Sequence, residues 1–141
     1  MNIIESYLNE KNILFHGSPV QGLNSIKPND LTSRHDIQGK VTYASHNKAY
    51  ASAFTFLWSD KDGIELGNYN KEPPYIKIPK HLKRKLINPC SLYVIKNSGF
   101  KQVEDIDFEW YSKQTAGVIK ELKYKNPISC MLTAGLLISW K

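Results

Sequence analysis

The stretch Ile13-Leu14-Phe15-His16-Gly17-Ser18-Pro19 constrains this chain more than any other. Ile13, Leu14 and Phe15 have the makings of a buried strand, since burial follows apolar surface. They run straight into a histidine, a glycine and a serine, and a proline closes the run. A glycine in a strand lets a ligand or another backbone approach closely. The pattern predicts a strand over Ile13–His16, a turn over Ser18–Gly22, and the floor of a ligand cleft where the two meet. The plain alternative for His16 is a satisfied structural histidine beside the core.

The rest of the chain supplies partners for that strand. Ile3, Ile4, Tyr7 and Leu8 stand at helical spacing and predict a short amphipathic helix. Pro28-Asn29-Asp30 is a turn signal, and the polar residues 29–40 read as a loop. Lys40–Ala44 reads as a second strand. Ser45 is placed to cap a helix over 47–58, where Ala49, Ala53, Phe54 and Leu57 share one face. Residues 59–74 are rich in Gly, Asp, Asn and Pro and read as a long surface loop over a site. Short strands follow at Tyr75–Ile78 and Leu92–Ile95, with a turn at Asn97-Ser98-Gly99. Ile106, Phe108 and Trp110 alternate with Asp107, Glu109 and Tyr111, which predicts a half-buried strand with Glu109 on its polar face. Val118–Leu122 reads as a strand. Asn126 and Pro127 open a helix as cap and first helical residue; it should stop near Gly135, before a closing strand over 136–140. Strands and short helices mix without regular βαβ alternation, so the fold class is α+β.

Length and charge narrow the function. A chain of 141 residues predicts one domain, 1–141, able to bury a core without staples. Its net charge of +6 is carried almost wholly by lysine, with Arg34 and Arg84 the only arginines. Lysine suits phosphates in general better than planar reading of base edges. Cys90 and Cys130 form no C-x-x-C pair and read as buried thiols. The first twelve residues lack the apolar run of a signal peptide, and no stretch reaches membrane-spanning length, so a soluble cytoplasmic protein is expected, with no membrane partner. Delivery as a translocated effector would leave no mark in such a sequence. Trp58, Trp110 and Trp140 read as core. His35, His46 and His81 have no ligand spacing with one another or with either cysteine, so no metal is expected.

Three pieces, taken in order, resemble the ADP-ribosyltransferase fold, in particular its poly(ADP-ribose) polymerase-like His-Tyr-Glu branch. They are Leu14-Phe15-His16-Gly17-Ser18, then Val41-Thr42-Tyr43-Ala44-Ser45 with Ala49 and Phe54 behind it, then Phe108-Glu109-Trp110. No arginine stands on the first strand, which separates the chain from the Arg-Ser-Glu toxin branch. The second piece also fits one residue out of register, with Thr42 in the tyrosine's place. The resemblance implies a split β-sandwich of two packed antiparallel-rich sheets with short flanking helices. It also implies NAD as a substrate bound in the cleft between them. His16 would meet the adenosine ribose, and the Gly17 backbone would pair with the nicotinamide amide. Ser18 or Ser52 would complete that amide's hydrogen bonds. Tyr43 would line the cleft, and Tyr50 or Phe54 would stack on the nicotinamide ring. Glu109 would hold the ribose 2′-hydroxyl and stabilise the cation that forms as nicotinamide leaves. Glu104 and Glu121 are its rivals.

The implied activity is cleavage of the nicotinamide–ribose bond and transfer of ADP-ribose to a protein or nucleic-acid acceptor, or to water. The alternative is a non-catalytic module on the same fold that binds a nucleotide, an ADP-ribose-like ligand or a nucleic acid. Lys77, Lys80, Lys83, Arg84 and Lys85 form a basic cluster; as a solvated face it needs no function, and as a site it would steer a polyanion.

Overall fold

The computed structural model describes residues 13–28, 30–31, 39–67, 74–103 and 109–141, and only the backbone of Asp30 and Leu31. The expected helix over residues 3–10 lies outside them, as do Glu104 and Phe108. The strands are β1 (Ile13–Ser18), β2 (Ser25–Ile26), β3 (Asp30–Leu31), β4 (Lys40–Ala44), β5 (Glu65–Gly67) and β6 (Tyr75–Ile78). They continue with β7 (Cys90–Lys96), β8 (Lys101–Gln102), β9 (Trp110–Ser112), β10 (Ala116–Tyr124) and β11 (Leu137–Trp140). The helices are α1 (Lys48–Ser52) and α2 (Pro127–Thr133). The class is α+β and sheet-rich.

The most continuously apolar strand becomes the centre. β7 is buried over six successive residues, which a strand covered on both faces requires. It pairs antiparallel with β1 on one side and β10 on the other, in a sheet ordered β1-β7-β10-β2. Its two faces fill different cores. Ile13, Phe15, Leu92 and Val94 pack with Ala51 of α1 and Cys130 of α2. Leu14, Tyr93 and Ile95 pack with Ala44 of β4 and with Phe100. The second four-stranded sheet, β3-β4-β9-β8, therefore lies against the opposite face from the helices. A three-stranded sheet, β11-β6-β5, closes a third core of Ile76, Ile78, Leu82 and Met131. Its β11–β6 pair is parallel.

Several expectations are corrected. The helix after Ser45 spans only Lys48–Ser52. Hydroxyls within the segment compete for its carbonyls: Ser52 Oγ donates to the Ala49 carbonyl at 2.6 Å and Thr55 Oγ1 to the Ser52 carbonyl at 2.8 Å. Beyond it the Phe54 N–H reaches back three residues, to the Ala51 carbonyl, so the helix tightens and ends. The cap is Asn47, whose side chain accepts the Tyr50 N–H at 3.0 Å; Ser45 Oγ accepts the Asn47 N–H one step earlier. Part of the expected loop over 59–74 is ordered as a short 3₁₀ turn, Asp60–Asp62, and as β5 on the edge of β6. Glu109 precedes β9 rather than standing within a strand, and its carbonyl accepts the Val103 N–H at 2.8 Å. Trp140 is 37% exposed and is no core tryptophan, whereas Trp58 and Trp110 are half-buried and pack against the edges of the cores. Other readings hold closely. β4 and β6 match their sequence ranges, and α2 opens on Asn126 and Pro127 as expected. Cys90 and Cys130 are buried and unbridged. Among the described residues no helix is long and apolar enough to cross a membrane.

Gly17 marks where α1 meets β1. A Cβ there would run into the Ala51 carbonyl and lie 3.2 Å from the Phe54 backbone. The close approach foreseen at this glycine is made by the protein's own backbone. Gly17→Ala should therefore cost about 1–3 kcal/mol of stability by overpacking. Gly117→Ala, at a position with nothing within 4 Å, should be neutral within a few tenths. Denaturant unfolding of the two variants checks the contrast.

Candidate functional site

The site begins where two strands part. Phe15 and Ser45 exchange both backbone hydrogen bonds, Phe15 N–H to Ser45 O at 2.6 Å and Ser45 N–H to Phe15 O at 2.9 Å. An antiparallel ladder continued from this pair would make the next such exchange between Gly17 and Tyr43. It does not. The Tyr43 carbonyl accepts instead from His16 Nδ1, at 2.7 Å. Since a carbonyl can only accept, Nδ1 carries the proton and is the donor in this bond. The same alternation turns the Gly17 N–H and C=O away from β7 and into the gap between β1 and β4.

That gap opens into a cavity of about 890 Å³, within the range of ligand pockets, roughly 300–1,000 Å³. His16, Gly17, Ser18, Tyr43, Tyr50, Phe54 and Glu109 all line it. They come from β1, β4, α1 with the turn that follows it, and the segment before β9, far apart in sequence. Tyr50 OH donates to Glu109 Oε1 at 3.2 Å, which ties the carboxylate to α1. The Tyr50 and Phe54 rings lie 5.1 Å apart at 60°, and Phe54 stacks on Trp58 at 5.3 Å and 17°. An aromatic ridge thus forms one side of the cleft. Ser18 Oγ accepts the Val20 N–H at 3.1 Å. Ser52 does not line the cavity: it is fully buried, with its hydroxyl given to the Ala49 carbonyl, so of the two serines only Ser18 stands at the site. Thr42 also lines the cavity, and its buried hydroxyl has no hydrogen-bond partner among the described residues.

The opposite wall had no sequence signal beyond its turn residues. It is the segment Pro19–Lys27, and a polar hub holds it in place. The Glu121 carboxylate accepts from Gly22 N–H at 2.9 Å, Ser91 Oγ at 2.6 Å and Tyr93 OH at 3.3 Å. The Tyr93 hydroxyl also lies 2.6 Å from the Val20 carbonyl and accepts the Leu23 N–H at 3.1 Å. Gln21 Nε2 donates to the Cys90 and Tyr124 carbonyls. The register explains the hub: His16, Tyr93 and Glu121 are cross-strand neighbours on one face of β1, β7 and β10. Glu121 is therefore a support of the wall, and among the described residues Glu109 is the glutamate that lines the cleft. Period-two reading of β7 and β10 would have placed Ser91 and Tyr93 on one face, but not the loop that crosses them.

The hydrogen bond from Ser91, then that from Gly22, holds the Glu121 carboxyl below its ordinary value, while burial pushes the Tyr93 hydroxyl up. The hydrogen bond shared with Cys90, then burial, pushes the Cys130 thiol far above the ordinary range, while the same bond lowers that of Cys90; both side chains are fully buried, so the pair is a core contact. No family model, curated protein or solved structure matches the chain.

A carboxylate with a lowered folded pKa stabilises above its unfolded value, 4.5, and the contribution fades as pH falls below that toward the folded value. Glu121→Gln should cost about 1 kcal/mol at neutral pH, at the low end because the group is accessible to water. Thermal unfolding of the two proteins should differ at pH 7 and converge as pH drops below 4.5.

Proposed function

We propose that this chain is an NAD-dependent ADP-ribosyltransferase-like protein, built as a split β-sandwich. The observation that carries the reading is the convergence of His16, Tyr43 and Glu109, with Gly17 between them, on one cleft of dinucleotide size. Two sheets that join at Phe15–Ser45 and then part support the split sandwich.

The chemistry follows from the geometry. The Gly17 N–H and C=O offer a donor and an acceptor side by side, the complement of a carboxamide. The Phe54 ring, or Tyr50 beside it, offers a face for the nicotinamide ring. His16, held through Nδ1, turns Nε2 toward a ribose hydroxyl. Glu109 takes the 2′-hydroxyl of the other ribose. When the C1′–N bond breaks, its electron pair leaves with neutral nicotinamide, and the ribose carries oxocarbenium charge. The Glu109 carboxylate stabilises that charge as it develops. An acceptor nucleophile, or water, then bonds to C1′ and gives up its proton. Tyr50 keeps Glu109 in place through the 3.2 Å hydrogen bond.

Incubation with NAD should release nicotinamide, and Glu109→Gln should reduce the rate about 100-fold or more, while NAD still raises the melting temperature of the variant. Nicotinamide release at the wild-type rate in that variant would remove Glu109 from the chemistry. NAD binding without any release, in the wild type, would leave a non-catalytic binding module on this cleft.

A further inference from the structure

The basic cluster singled out in the sequence is not used by the cleft, but it adjoins it. Between Glu72 and Glu104 the chain has no acidic residue, and its cations concentrate in the 3₁₀ segment Lys80–Leu86. Leu82 and Leu86 bury this segment in the core formed with Ile76, Ile78 and Met131, so it is anchored rather than a flexible tail. Lys80, His81, Lys83 and Arg84 are exposed. In a 3₁₀ segment residues three apart eclipse. Lys80 and Lys83 form one row, and Arg84 stands on the next with His81. Lys85 turns the other way, and its ammonium donates to the Leu57 carbonyl at 3.2 Å. Leu57 is 71% exposed and lines the cleft. Trp140, also partly exposed, lies beside this segment with the Lys83 ammonium 4.8 Å above its ring.

We propose that this face binds a single nucleic-acid strand and leads it to the mouth of the cleft at Leu57. A cluster of exposed point charges on an anchored turn suits a polymer with a phosphate at every step, and lysine needs no planar partner to hold one. An acidic polypeptide offers the charge but no base to lie against an indole. An accessible indole among cations gives an unstacked base a surface to cover, which a duplex would not use. Binding by this face stands on these observations alone. That the strand is the ADP-ribose acceptor rests on the function proposed above.

The test is fluorescence anisotropy of a labelled single-stranded oligonucleotide, without NAD, over a salt series. Wild-type protein should bind it with steep salt dependence. Substituting Lys80, Lys83 and Arg84 together by Gln should weaken binding at least tenfold and reduce the slope of log K against log salt by about two. The same loss of charge at Lys101, Lys113 and Lys120 should weaken it far less. Nicotinamide release into water should be unchanged in the Lys80/Lys83/Arg84 variant. Equal affinity in the two triple variants would overturn the proposal, as would tighter binding of duplex, or competition by polyglutamate as effective as by oligonucleotide. Strand binding lost in the first variant, in a protein that releases no nicotinamide, would keep this face and discard the enzyme.

Discussion

The site depends on one backbone exchange, between Phe15 and Ser45, and on its failure to repeat. Strands that pair tend to go on pairing, because each further exchange satisfies four more backbone groups that are costly to bury alone. Here the ladder stops after one pair. His16 takes the Tyr43 carbonyl that Gly17 would have taken, so the interruption is partly compensated within the chain. Gly17, pressed against the end of α1, cannot carry a side chain that would fill the gap. The histidine and the glycine thus have linked structural reasons: one replaces a lost backbone partner, and the other lets the helix close over the strand. The same two facts leave a donor and an acceptor of the main chain facing a cavity.

Around that gap the walls are held in different ways. On one side the aromatic ridge of Tyr50, Phe54 and Trp58 is rooted in a helix of five residues. On the other, the segment from Pro19 to Lys27 has little regular structure and depends on the Glu121 carboxylate and the Tyr93 hydroxyl. A carboxylate that accepts several hydrogen bonds does for this wall what a ladder does for a strand. It also couples the wall to β10, at the far side of the central sheet from β1. The groups that hold this wall of the cleft therefore belong to the central sheet, although Glu121 does not line the cleft.

How much of this was legible depends on the range of the interactions. Period-two alternation and turn residues placed β1, β4, β6 and α2, because burial of one face and a local cap decide those elements. The His16-Gly17-Ser18 run stood out as an apolar strand ending in residues that burial does not explain, whereas Tyr43 was singled out only by the resemblance to the ADP-ribosyltransferase fold. The helix after Ser45 was overestimated. Its apolar spacing is real, but Ser52 and Thr55 turn their hydroxyls onto its carbonyls, and periodicity does not register that competition. Glu109 was placed in a strand by alternation and lies just before one, yet it reaches the cleft. The Glu121 hub was out of reach, since it joins residues of β7 and β10 to a loop from near the start of the described chain. Trp140 was read as core because tryptophan is large and apolar, whereas the end of the last strand leaves it partly in water.

The central claim is that the Gly17 main chain, set in the parted ladder, reads a ligand amide. The ¹H–¹⁵N spectrum of the protein titrated with NAD tests it directly. The Gly17 amide should shift and its hydrogen exchange should slow as NAD saturates, with the Gly22 amide, already bonded to Glu121, far less affected. A Gly17 amide that stays unmoved and unprotected at saturating NAD, or NAD that perturbs no residue of the cleft, would contradict the account.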